Sequence, residues 1–228
     1  AFRADRDGLK ATLAARMKAA GERPTPVAIE RELARIERLN AALTAVQAVE
    51  AAGGTILRLE ARDGFPLVAS YFPAGSGKGK SKGNAKRRAK EEASSPAVVL
   101  LPMFGGSRAD YEPLAHELAR SGITALALDP RGHGASVTEE LWSTALYQDD
   151  LPSFLQGALL DLEAAISHLR GTSPGGSEAG KGDEGAEDGE GEEEGRPLAV
   201  IGASLGGMVG ALGVTDEEEV KALVLLSP

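Results

Sequence analysis

Apolar residues change their spacing along the chain, and the change divides it at about residue 52. Upstream, Ile29, Leu33, Ile36, Leu39, Leu43, Val46 and Val49 recur at intervals of three and four, which is one face of a helix. Thr25-Pro26 supplies an N-cap with proline at the first helical position, and Gly53-Gly54 marks the end. The polar face of this helix mixes both charge signs, so it is read as packed on the domain or a partner, not laid on a membrane. Residues 1–52 are assigned to an N-terminal helical segment.

Downstream the period shortens. Segments 55–62 and 66–72 flank Asp63-Gly64, which predicts a β-hairpin. Apolar runs then alternate with helical patterns, giving strands at 97–101, 123–129, 198–203 and 220–226 and helices at 111–120, 151–169 and 205–212. Asp161 and Glu163 are expected on the wet side of the helix 151–169. Near-continuous apolar strands separated by helices predict an α/β domain over 53–228, with about six strands in a mostly parallel sheet and helices on both faces.

Two low-complexity stretches interrupt this domain. Segment 74–95 carries seven basic and two acidic residues, and segment 171–196 carries nine acidic and two basic residues. Both are rich in glycine and polar residues and lack large apolar side chains, so both are predicted to be disordered insertions.

Composition then excludes several functions. The 228 residues, 42% hydrophobic, suffice for one ordinary domain with a core. A net charge of −9 gives no bulk support for a nucleic-acid partner. No apolar run reaches the ~18 residues of a membrane span, so a soluble protein is expected. With no cysteine there is no disulfide, thiolate zinc site or cysteine nucleophile. His116, His133 and His168 are too widely spaced for a compact metal motif, and no metal or organic cofactor is expected. The first residue is Ala, so a start or signal peptide is expected to be missing. Export and oligomeric state stay open, with the cytoplasm slightly favoured.

The chemistry centres on Ser204. The pattern G-x-S-x-G occurs at 79–83 and at 202–206, and in a glycine-rich chain the pattern alone is weak. Context decides between them. A nucleophile elbow needs a strand running into a sharp turn and then a helix, with glycines two before and two after the serine. The first match lies in the basic insertion with no strand before it. The second follows Leu198-Ala199-Val200-Ile201 and opens a helix. A G-x-G-x-x-G match at 180–185 and a partial P-loop at 175–181 lie in the acidic insertion, before a strand and not after one, and are set aside.

Three blocks in this order resemble the α/β-hydrolase superfamily. They are Leu100-Leu101-Pro102-Met103-Phe104-Gly105-Gly106-Ser107, Asp129-Pro130-Arg131-Gly132-His133-Gly134-Ala135-Ser136, and the Ser204 elbow followed by the strand ending Leu226-Ser227-Pro228. The nearest likeness is to the bacterial esterase, lysophospholipase and S33-peptidase-like group. The resemblance implies a serine hydrolase of carboxylic esters, with a small ester or lipid-like substrate and an acyl-enzyme at Ser204. It also implies an oxyanion hole from the backbone N–H groups of Leu205 and Phe104, with Met103 as the alternative to Phe104. Pro102-Met103 stands where the family often has His-Gly. Trp142 and Tyr147 are candidates for the acyl pocket, with core packing the other reading.

In the family the catalytic acid and then the histidine follow the serine along the chain. Here all three histidines precede Ser204, and the acids after it, Asp216 to Glu219, are expected at the opposite sheet edge. The chain is therefore read as C-terminally truncated and feebly active by itself. His133 is the substitute base to consider. It is expected two strands from the elbow, about 9.6 Å away, where an ordinary turn histidine is the simpler reading. Amide or peptide hydrolysis, and a non-catalytic binding domain of the same fold, are the alternative functions.

Overall fold

The computed structural model describes residues 6–76, 94–138, 150–171, 196–214 and 220–226. Both charged insertions lie for the most part outside these residues, as do Trp142 and Tyr147 and the acids 216–219. The chain forms two compact units, residues 1–48 and 49–228.

The first unit contains helix α1 (Arg6–Ala19) and most of helix α2 (Pro26–Ala51). The α2 cap is the expected one: Thr25 Oγ1 accepts the Ala28 N–H at 3.2 Å, and the Thr25 carbonyl accepts Ile29 N–H at 3.0 Å. Leu13 and Leu33 are buried, and Glu30 pairs with Arg6 and Lys10. Leu43, expected on the apolar face of α2, is exposed. Helix α1 has no counterpart among the expected elements. Its Leu9, Leu13 and Met17 recur every four residues, but alanine and charge between them dilute the signal.

In the second unit, strands β1 (Thr55–Glu60) and β2 (Pro66–Phe72) form the expected hairpin, antiparallel, with Gly64 at φ 83° in the turn. Strands β3 (Ala97–Leu101), β4 (Thr124–Asp129), β5 (Leu198–Ala203) and β6 (Val220–Leu226) follow. They alternate with helices α3 (Glu112–Arg120), α4 (Leu151–Arg170) and α5 (Leu205–Gly213). The six strands lie in the order β1-β2-β4-β3-β5-β6. β2 runs antiparallel to β4, and β4, β3, β5 and β6 are parallel. Every residue of β3 and β4 is buried, as parallel strands covered on both faces must be.

One core face packs Phe154, Ala158, Leu162 and Val209 of α4 and α5 against Val99, Leu101, Leu128 and Val200. The other packs Ala115 and Ala119 of α3, with Val49, against Val98, Leu100 and Phe72. The carboxyl ends of β3, β4 and β5 therefore share one sheet edge, where loops gather around Ser204.

Asp161 departs from its expected place. It is wholly buried, not on the wet side of α4. Its carboxylate accepts the Arg131 backbone N–H at 2.8 Å and the Arg131 guanidinium at 2.8 and 3.0 Å. Arg131 also reaches Asp63 in the β1–β2 turn at 2.7 Å and lies over the Phe65 ring. Gly157 makes room for it, since a Cβ there would collide with the guanidinium. Burial alone would lower the Arg131 pKa, but hydrogen bonds and charge from Asp63 and Asp161 outweigh it and hold it above the ordinary guanidinium value. Burial pushes the Asp161 carboxyl up against the pull of Arg131, while the Arg131 bond holds Asp63 below the usual carboxylate range.

Candidate active site

Ser204 stands between β5 and α5 at φ 48° and ψ −111°, the one non-glycine residue with positive φ among the described residues. Such a backbone costs on the order of 1–3 kcal/mol and persists only where the surroundings enforce it. Here two glycines do so. A Cβ at Gly202 would collide with the Gly206 carbonyl oxygen, so strand end and helix start can approach this closely only without side chains. A Cβ at Gly206 would lie 2.5 Å from the Leu101 oxygen and 2.6 Å from the Pro102 oxygen, which seats the first turn of α5 on the end of β3. The Ser204 N–H donates to the Leu226 carbonyl at 3.0 Å, and its carbonyl accepts Met208 N–H at 3.0 Å. Backbone is thereby fixed on both sides while the residue itself is exposed.

Leu205 is the first residue of α5, so its N–H has no carbonyl one turn earlier within the helix. The loop after β3 lies alongside. Its Gly106 N–H donates to the Met103 carbonyl at 2.9 Å, and Gly105 at φ 75° completes a turn with Phe104 and Gly105 at its centre. Phe104 is half-buried and Met103 exposed.

The loop after β4 carries His133. Its Gly132 N–H donates to the Ser136 carbonyl at 2.7 Å, and His133 N–H to the Pro130 carbonyl at 2.9 Å. The Ser136 hydroxyl accepts Val68 N–H at 2.8 Å and ties the loop to β2. The imidazole is 2% exposed, with Nδ1 3.1 Å from the Arg131 carbonyl and Nε2 without a hydrogen-bond partner among the described residues. Its ring meets those of Phe104 at 5.9 Å and Phe154 at 6.1 Å. β3 lies between β4 and β5, so this loop is two strands from the elbow, and no hydrogen bond joins His133 to Ser204.

The other histidines serve helices. His116 on α3 tilts against Phe72, and His168 on α4 stacks edge-on against Tyr71. Burial and the Arg196 charge hold His168 below the ordinary imidazole value. Among the described residues no three His, Asp or Glu side chains gather as a metal site would require, and no helix is long and apolar enough to cross a membrane.

The structure thus brings Ser204, Leu205 and the Met103–Phe104 loop to one edge. It leaves Trp142 and Tyr147 outside the described residues. Sequence reading missed the carboxylates of Asp63, Asp129 and Asp161, which brace the surrounding loops. Asp129 was visible as the polar end of an apolar strand, and Asp161 as an acid in a largely apolar helix.

Residues 98–228, more than half of the chain, match the model of the family described as "Alpha/beta hydrolase family". The chain belongs to the alpha/beta hydrolase family. No protein of curated function matches it. Among solved structures it is similar to an alpha/beta hydrolase, GrgF, from Penicillium sp. sh18, with 20% identity over 75% of this chain and 45% of that one at a TM-score of 0.49. It is similar also to an esterase of Pyrococcus furiosus, with 19% identity over 76% and 52% at a TM-score of 0.48. An epoxide hydrolase of Vigna radiata matches with 17% identity over 75% and 38% at a TM-score of 0.47. These are likenesses of fold. This alpha/beta hydrolase spans about half the length of the first two.

Proposed function

We propose that the protein is a serine hydrolase of carboxylic esters, acting on a small ester or lipid-like substrate through an acyl-enzyme at Ser204. The observation that carries the reading is the enforced positive-φ backbone of an exposed serine between β5 and α5. Structural needs do not account for it, because glycine would hold the same backbone without strain.

Ser204 Oγ attacks the ester carbonyl carbon, forming a C–O bond and giving up its proton to a base. The carbonyl oxygen becomes an oxyanion, which the N–H groups of Leu205 and Phe104 receive, with Met103 the alternative to Phe104. Collapse breaks the bond to the alcohol, which leaves with a proton. Water then hydrolyses the acyl-serine by the same route in reverse order. Base and acid are assigned to no described residue, and the reaction proposed is that of the whole protein.

A fluorophosphonate probe tests the reading. The whole protein is expected to take one label, lost in Ser204→Ala. A folded protein that takes no label would favour the non-catalytic binding domain.

A further inference from the structure

Asp129, the last residue of β4, is wholly buried, and its carboxylate grips two different loops. Oδ1 accepts the Arg108 backbone N–H at 2.6 Å. Oδ2 accepts Arg108 Nη1 at 2.6 Å and the Ala135 N–H at 2.8 Å. Arg108 closes the loop after β3 that carries Met103 and Phe104. Ala135 belongs to the turn after β4 that carries His133. The same two loops meet again where the Phe104 and His133 rings pack edge to face, at 82° between planes. Gly134 wraps the turn onto the carboxylate so closely that a Cβ there would collide with it.

The bonds inside the loop after β3 are local. Gly106 N–H to Met103 and Ser107 N–H to Asp110 shape it without fixing it to the sheet. Its tie to the sheet runs through Arg108, which bonds Asp129 through its backbone N–H and Nη1 and donates from Nε to Ser70 Oγ on β2 at 3.0 Å, with the Glu112 carboxylate 3.7 Å from the same nitrogen. Chemistry at this junction requires a carboxylate. Both oxygens face donors only, so an asparagine in either orientation would set its NH₂ against an N–H.

We propose that Asp129 is a positioning residue for the ester hydrolysis: it sets the Phe104 loop against the elbow and locks that loop to the His133 turn. This rests on Ser204 as nucleophile and on the loop after β3 as an oxyanion donor. An oxyanion donor acts on charge that develops in the transition state, so displacing it lowers kcat and leaves KM nearly unchanged. A displacement of about 1 Å is worth on the order of 100-fold.

The test combines kinetics with hydrogen exchange in the whole protein. Asp129→Asn is expected to lower kcat for p-nitrophenyl acetate by on the order of 100-fold with little change in KM. Peptides covering 102–108 and 130–136 are expected to exchange faster together. Arg108→Lys keeps the backbone bond and the cation, and should recover most of the rate. If Asp129→Asn does not fold, Arg108→Ala carries the test, with a roughly tenfold lower kcat and faster exchange at 102–108 expected from loss of the guanidinium bonds to Asp129 and Ser70. A folded Asp129→Asn with unchanged kcat, or with faster exchange in only one of the two loops, overturns the proposal. Turnover that survives in Ser204→Ala overturns the nucleophile reading instead, and the catalytic role of Asp129 with it. The exchange result separates the two failures, since coupling of the loops does not depend on Ser204.

Discussion

Gly206 sits on the Leu101 carbonyl so closely that a single added methyl group would lie 2.5 Å from that oxygen. This contact joins the elbow to the strand that launches the loop after β3, and backbone atoms on both sides leave nothing flexible to move. Gly206→Ala is therefore expected to destabilise the protein by about 2 kcal/mol, within the range of overpacked cores. Thermal unfolding would show it as a fall of roughly 4–8 °C. An unchanged melting temperature would mean that elbow and strand end are not in such contact.

Ser204 itself carries strain that a glycine would relieve. Ser204→Gly is expected to be more stable than Ser204→Ala by on the order of 1 kcal/mol, although both lack the hydroxyl. Denaturant unfolding of the two variants compares them directly. Equal midpoints would contradict the positive-φ backbone.

Asp63 links stability to acid pH. Its folded pKa is depressed from an ordinary 3.8, mainly by the Arg131 hydrogen bond. A depressed carboxylate stabilises the fold above its unfolded value and loses that contribution as pH falls through the lower folded value. Asp63→Asn should thus be less stable than the parent at pH 7, with the difference shrinking below about pH 4. A difference that grows on acidification would reverse the sign of the linkage.

The 228 residues by themselves are expected to hydrolyse short p-nitrophenyl esters only feebly. Among the described residues no imidazole accepts from Ser204 Oγ, and an unactivated serine leaves only oxyanion donors and binding to contribute. Fast turnover that requires both Ser204 and His133 would make His133 the base.

The fold was legible because its strands are short apolar runs bounded by turns, and β3, β5 and β6 begin and end where the pattern places them. The elbow was legible because glycine spacing and strand–helix context coincide at Ser204. Long-range polar contacts were not. Asp161 lies on a helix whose buried residues include Phe154, Ala158, Leu162 and Leu169, and periodicity assigns any acid in such a helix to water. Its partner Arg131 is thirty positions away, a separation that no local pattern reports. Asp129 could be quoted within a motif, but its grip on Arg108 and Ala135 exists only once β4 lies beside β3.

The acyl-enzyme is the most direct point of attack. The whole protein would be acid-quenched during turnover of p-nitrophenyl acetate, digested, and its peptides weighed. One acetyl group on the peptide containing Ser204, absent in Ser204→Ala together with turnover, is the expected result. Turnover with no acetyl on that peptide, or turnover undiminished in Ser204→Ala, would contradict a nucleophilic Ser204.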